Sequence, residues 1–582
     1  MTKKEVLIKA GSVMMFAILC IAFFQFFYPY HLFIKEQLQL FLFTSEYFIS
    51  YLSKPASLAS YLGDFFTQFF YLRWGGAIVL ALLLCVEWLL IVCLLRKLGA
   101  EKNVLLYAFF PIIGEWVLHC GLGYSVSSTI TVILCIIIFL LYATIKKRFI
   151  AFLVAILLQP ILYALLGSGL FTFNLLLLLT DSIRKEKLNL LAYVILFTGI
   201  LIPFLLRSHY LLTIEQAYIY PHREFMAFVP PLLIIMLAGG MSSREVRIYT
   251  SDIRYTPFLF GLQLILLIGG VLSRANFHRE KILSLDSEAY FGNWSKVLKQ
   301  ASSYNLNDNI ATYYTNLALA RYGQLPDHIL EFYQPATDGL FLPVNPNASP
   351  LTIFFSNEVF FYLGDMNMAQ HSSMLGMIFS PNNRSSRLIK RLAEINMING
   401  EKEAARKYLR MLEPTLFHRA WAKKRLQILD ADTLIASTDA WLKEKRSMIP
   451  KRDTLRSSTD YLASLNLLAS SNPANKMAVD YLLCYHLLSK DIRSFTNAYN
   501  RYVKDTSSVL PRIYGEALLI SLLNSKATDK EVQSYGISPD MIREFAEYTR
   551  LYEQSNGRGE LLQAKFGKSY WFYFHFAKMD TK

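Results

Sequence analysis

The sequence is short of charge. Only 18% of its 582 residues are Asp, Glu, Lys or Arg, against about 25% in an ordinary soluble domain. The shortage is uneven: up to about residue 275 apolar residues come in long blocks, and beyond that the composition is ordinary. The chain therefore divides into a membrane half and a soluble half. Cysteine chemistry is scarce too. Cys20, Cys85, Cys93, Cys120 and Cys135 lie in or beside apolar runs, Cys484 stands alone in the soluble half, and no Cys-x-x-Cys occurs. That pattern excludes a disulfide framework and a zinc site of the usual type. Nucleic-acid motifs are absent as well. The net charge of +15 sits largely in short loops between apolar runs, where membrane topology explains it, so nucleic acid is not an expected partner.

What is present is apolar length. Nine runs predict spanning helices, at 8–28, 74–95, 103–122, 125–145, 149–166, 168–181, 188–206, 225–240 and 257–274. The eighth carries Pro230–Pro231, which is expected to break or kink it. The first run follows Lys3, Lys4 and Lys9 but continues into bulky FFQFFYPYHLF with no small-residue cleavage site, as an uncleaved signal anchor does. Alternate loops hold Lys3/Lys4/Lys9, Arg96/Lys97/Lys102, Lys146/Lys147/Arg148, Arg184/Lys185/Lys187 and Arg244/Arg247/Arg254, fifteen basic residues. The opposite loops hold Lys35, Lys54, Arg73, Arg207 and Arg223, five. This asymmetry places the N-terminus in the cytoplasm and residues 275–582 outside, which in a bacterium is the periplasm of the cytoplasmic (inner) membrane.

From about residue 285 the chain reads as successive helices. Gly292, Gly323, Gly364 and Gly400 each separate an apolar-aromatic helical stretch from a second one, most clearly in RLAEINMINGEKEAARKYL (391–409). This part resembles tetratricopeptide repeats, which implies an all-α fold: a polytopic helix bundle, 1–275, followed by an extracytoplasmic repeat-like domain, 285–582. Such a domain offers a surface to a protein or envelope-polymer partner. The terminal run SYWFYFHF (569–576) is expected to pack the last helix.

Ionisable residues in apolar runs are functional candidates. Glu87 lies in the second run. Glu115 and His119 lie in the third, spaced i to i+4 on one helical face. All four histidines of the membrane half, His31, His119, His209 and His222, fall on or near the outer side, with Glu36, Glu46, Asp64, Glu215 and Glu224. Together with Arg73, Arg207 and Arg223 they outline a candidate polar cavity or substrate site. The stretch SLASYLGDFFTQFFYLRW (57–74) sets Asp64 among aromatics. Leu58, Leu62, Phe65, Phe66, Phe69 and Leu72 fall on one helical face, and Ser57, Ser60, Tyr61, Asp64, Gln68 and Tyr71 on the other. An interfacial helix over 55–72 is expected, with its apolar face toward lipid and Asp64 turned away from it.

In this layout the membrane half resembles the GT-C class of polytopic glycosyltransferases: a first span, an outer loop with Glu36 and Glu46, then the juxtamembrane helix PASLASYLGDFFTQFFY (55–71). The resemblance implies a polyprenyl-phosphate sugar donor and a carboxylate base, Glu36 or Asp64. Three functions follow: an envelope scaffold, a lipid-linked glycosyltransferase, and a transporter, the last favoured by Glu87 and Glu115. No cofactor is expected. A divalent metal enters only under the glycosyltransferase reading.

Overall fold

A computed structural model of the chain describes residues 3–100, 103–183, 190–242, 255–345, 347–430, 439–450, 456–506 and 509–578. Of the basic residues that set the expected topology, Lys102, Arg184, Lys185, Lys187, Arg244, Arg247 and Arg254 lie outside these. The described residues are helical, with no strand among them. They form two compact units: Met1–Glu280 with Pro414–Phe417, and Lys281–Glu413 with His418–Lys582.

In the first unit an apolar helix occupies each of the nine expected stretches. Four are long and apolar enough to cross a membrane: Ala10–Phe27, Gly75–Lys97, Phe149–Leu166 and Thr256–Arg274. The other five, Val104–His119, Val126–Tyr142, Gly169–Leu179, Tyr193–Leu206 and Phe225–Gly240, run 10–17 residues. Local chemistry cuts them short. Ser125 caps the N-terminus of Val126–Tyr142 through its side chain, and Gly121 and Gly123 follow the end of Phe109–His119. Pro230 and Pro231 neither break nor kink a helix. They sit in the first turn of Val229–Ser242, where the missing N–H groups would have had no intrahelical acceptor.

The helix of the aromatic stretch spans Ser57–Thr67 and tightens into a 3₁₀ turn, Gln68–Tyr71. Its buried face is not the aromatic one. Ser57, Ala59, Ser60, Gly63 and Thr67 are buried, whereas Phe65, Phe66 and Phe69 are half-buried. The reason is close approach. A Cβ on Gly63 would lie 2.6 Å from the Ser127 backbone, so this helix packs backbone to backbone on Val126–Tyr142, as small residues permit. Ser57 adds a hydrogen bond to the Ala164 carbonyl at 2.8 Å. Ser57, Ser60 and Gln68 of the expected polar face are thus on the buried side and the large aromatics of the other face are not; Ala59 and Gly63, which the expected division left out, are what allow the close contact.

The second unit is built from antiparallel helix pairs. Pro350–Leu363 turns into Met366–Ile378 through Gly364 (φ 96°), and Ser386–Asn399 into Lys402–Leu412 through Gly400 (φ 85°). Both glycines hold left-handed backbone, which a side chain would strain. Asp365 then caps the second helix of its pair, accepting from Met368 N at 3.2 Å. Gly292 likewise separates Phe277–Tyr290 from Trp294–Tyr304. Gly323 departs from the pattern: it leads only to the four-residue helix Leu325–His328, which passes at once into the 3₁₀ turn Ile329–Glu331.

A buried charge network ties the pairs together. Arg387 donates to Asp286 and to Glu358, each at 2.9 Å. Arg391 donates to Glu358 at 2.7 Å and to Glu394 at 3.0 Å. Burial alone would raise the Glu358 carboxyl, yet Arg391 and Arg387 together hold it down at about 2. At the C-terminus, Tyr570 and Trp571 of helix Tyr570–Phe576 are fully buried. The Trp571 indole donates to the Glu516 carbonyl at 2.9 Å and the Tyr570 hydroxyl to the Leu487 carbonyl at 2.8 Å. These two residues of the run are core, while Phe572, Tyr573, Phe574 and Phe576 are half-buried and His575 is exposed.

Candidate functional site

The first unit threads a line of polar side chains between its helices. It starts where the chain breaks at Tyr28–Pro29 and restarts as helix Tyr30–Gln37. Restarting exposes backbone donors. Tyr30 N and His31 N both donate to the Glu280 carboxylate, the latter at 3.1 Å, an anion held at a helix N-terminus. The His31 ring is buried. Its Nε2 faces the His119 carbonyl at 3.0 Å, and its Nδ1 lies 3.6 Å from Glu280 Oε2. A carbonyl only accepts, so Nε2 carries the proton. Burial lowers the His31 pKa, against the pull of Glu280. One turn on, Lys35 donates to the same carbonyl at 3.3 Å, and burial brings its ammonium down to about 7.

His119 ends helix Phe109–His119. Its Nε2 meets Thr129 Oγ1 at 2.9 Å. Thr129 in turn donates to Glu115 Oε2 at 2.7 Å. Since the hydroxyl has one proton and gives it to Glu115, His119 Nε2 must be the donor of the other bond. Tyr124 donates to the Glu115 carboxylate, within 2.9 Å of Oε2 and 3.0 Å of Oε1. The result is a continuous path, Glu280–His31–His119–Thr129–Glu115–Tyr124, with His31, Glu115 and His119 each at 0–1% exposure. Its geometry clamps four segments. It satisfies polar groups that would otherwise be costly in an apolar bundle.

Asp64 belongs to a separate cluster. It accepts from the Tyr51 hydroxyl at 2.5 Å, and Tyr51 and Tyr47 share a 2.7 Å hydroxyl contact. Gln39 holds the Asp64 carbonyl at 3.0 Å. Burial pushes the Asp64 carboxyl up to about 6, outweighing the Tyr51 hydrogen bond and the field of Arg223. Glu36 is buried on the same short helix as His31 and Lys35.

Of the remaining expected residues, Arg223 acts on Asp64 through its charge alone. His222 is buried and bonds Ser128 Oγ at 2.8 Å, with burial lowering its pKa to about 4. Arg73, His209 and Arg223 are exposed, and Arg207 lies over the Phe204 ring at 4.8 Å. Among the described residues no group of three or more His, Cys, Asp or Glu is placed to hold a metal ion. Glu87, fully buried in Gly75–Lys97, has no hydrogen-bond partner among them.

The chain belongs to DUF6057, a family of unknown function. The family model matches residues 5–577, so membership covers both units. No curated protein and no solved structure matches the chain.

Three members of the polar path escaped the sequence reading. Thr129 and Tyr124 were available as hydroxyls one loop beyond His119. Glu280 was not: it sits in ordinary-looking sequence 249 positions from His31.

Proposed function

We propose that this chain is a multi-pass protein of a bacterial cytoplasmic membrane whose C-terminal helical domain, on the periplasmic side, binds a protein or envelope polymer as an assembly scaffold. The observation that carries the membrane placement is helix Thr256–Arg274. It is long and apolar enough to cross a bilayer, yet Phe258, Phe260, Ile265 and Leu272 are 63–69% exposed. Exposed apolar length of this kind needs lipid. With all nine apolar helices spanning, five of them only 10–17 residues long against a usual length of about 20, the bilayer thins locally or the helices run through the protein interior. Helix pairs turned by Gly364 and Gly400 support the tetratricopeptide-like reading of the second unit, an architecture that binds along its surface.

Deleting residues 281–582 tests the scaffold role. The truncated chain reaches the membrane but loses every crosslink to envelope partners; a truncation that retains full cellular function contradicts it.

A second reading, glycosyl transfer from a polyprenyl-phosphate sugar, is supported by Asp64. A half-buried carboxyl near 6 has the basicity to take a proton from an acceptor hydroxyl. Asp64→Asn and Glu36→Gln test it: if both variants complement as wild type does, the enzymatic reading falls.

A further inference from the structure

A cleft of about 240 Å3 opens in the helical unit, where five helices converge, Phe277–Tyr290 contributing Tyr290. Arg321 ends Asn309–Arg321, Tyr362 lies near the end of Pro350–Leu363, Lys390 and Arg391 lie on Ser386–Asn399, and Lys445 lies on Ala440–Met448. Five cations and two carboxylates line it. Two of the cations, Arg387 and Arg391, are already matched by Asp286, Glu358 and Glu394. The other three are not. Among the described residues no carboxylate lies within 4.0 Å of Arg321, Lys390 or Lys445.

These cations are held by aromatic faces instead. The Arg321 guanidinium lies 4.9 Å from the Tyr362 ring centre, and the Lys445 ammonium 4.7 Å from both Phe361 and Tyr362. A ring face orients a cation without neutralising it. Lys445 is the sharpest case. It is 3% exposed, and among the described residues its ammonium has one acceptor, the Phe361 carbonyl at 3.5 Å. An ammonium has three donors, and burying it with its donors unspent is costly. Arg321 and Arg391 add repulsion to that cost, and burial with this repulsion brings Lys445 down to about 8. The lining carboxylates relieve it only in part: Glu444 and Glu394 raise the ammonium less than burial and the two arginines lower it, Glu394 is engaged by Arg391, and Glu444 is exposed.

We propose that this cleft binds a small multivalent oxyanion, of the phosphate or carboxylate class, that supplies Arg321 and Lys445 with the acceptors and the negative charge they lack. Fork-shaped guanidinium donors and ammonium point charges together are the protein's means of holding such groups. The volume suits a phosphate, pyrophosphate or citrate ion and not a folded partner. The site does not depend on which function the membrane unit performs.

Calorimetric titration of the full chain in detergent tests this, with inorganic pyrophosphate and citrate as probes. Saturable binding of either probe is expected, weakened at least tenfold in Arg321→Gln and in Lys445→Met. It should be unchanged in Arg543→Gln, whose side chain is exposed and paired with Asp540. Arg321 lies at the surface, so its substitution keeps the test valid even if Lys445→Met misfolds. Preference for pyrophosphate assigns a phosphate ligand, and preference for citrate a carboxylate. Absence of saturable binding with both probes overturns the proposal. So does binding that all three substitutions weaken equally, or that none of them changes.

Discussion

The Tyr51 hydroxyl donates to Asp64 Oδ2 at 2.5 Å, deep enough that the Asp64 carboxyl rises from 3.8 to about 6. A carboxyl raised by folding favours the folded state fully below its unfolded pKa and loses that contribution as pH rises through the folded one. Wild type should therefore gain thermal stability between pH 7 and pH 5. Asp64→Asn keeps an acceptor for Tyr51 and removes the charge. It should raise the unfolding midpoint at pH 7, by on the order of 1–2 kcal/mol, and show no advantage at pH 4.5. A variant less stable than wild type at pH 7 would contradict the burial argument.

Thr129 bridges Glu115 and His119 with a single hydroxyl. Thr129→Val keeps the shape and leaves both partners short of a hydrogen bond, at a cost of about 1–3 kcal/mol. Thr129→Ser should recover most of it. Thermal unfolding of the purified protein in detergent distinguishes the two, and equal midpoints for Val and Ser would show that the hydroxyl is idle.

Gly63 allows its helix to touch Ser127 through the backbone. Gly63→Ala should cost about 1–3 kcal/mol by overpacking, whereas Gly261→Ala, where a Cβ would meet nothing within 4 Å, should be neutral. The pair separates steric cost from a general dislike of substitution in apolar helices.

In the second unit Glu358 serves both Arg387 and Arg391. Glu358→Gln leaves two buried guanidiniums short of charge, an imbalance worth about 3–5 kcal/mol. In wild type the same network should weaken in acid: a carboxyl lowered to about 2 contributes stability present above its unfolded value of 4.5 and lost as pH falls through 2. Chemical denaturation at pH 7 and pH 3 reads both effects.

Some of this was legible in the residues. Apolar runs located nine helices because run length is a one-dimensional property. Gly364 and Gly400 marked turns because a left-handed residue ends a helix wherever it stands. The pairing of Glu115 with His119 followed from helical spacing. What was not legible depends on three-dimensional approach. The backbone contact of Ser57–Thr67 was not foreseen, because nothing local shows that Gly63 faces Ser127 across the packed helices. Glu280 and Arg387 carry no local signal, since their partners lie 249 and 101 positions away. The helical turns at 3.6 residues say nothing about such distances.

The placement of the helical unit outside the membrane is the point on which the proposed function rests. A tandem reporter fused after residue 582, active either as a periplasmic phosphatase or as a cytoplasmic fluorophore, measures it directly. Phosphatase activity without fluorescence is the expected result; fluorescence without phosphatase activity would put the helical unit in the cytoplasm and contradict it.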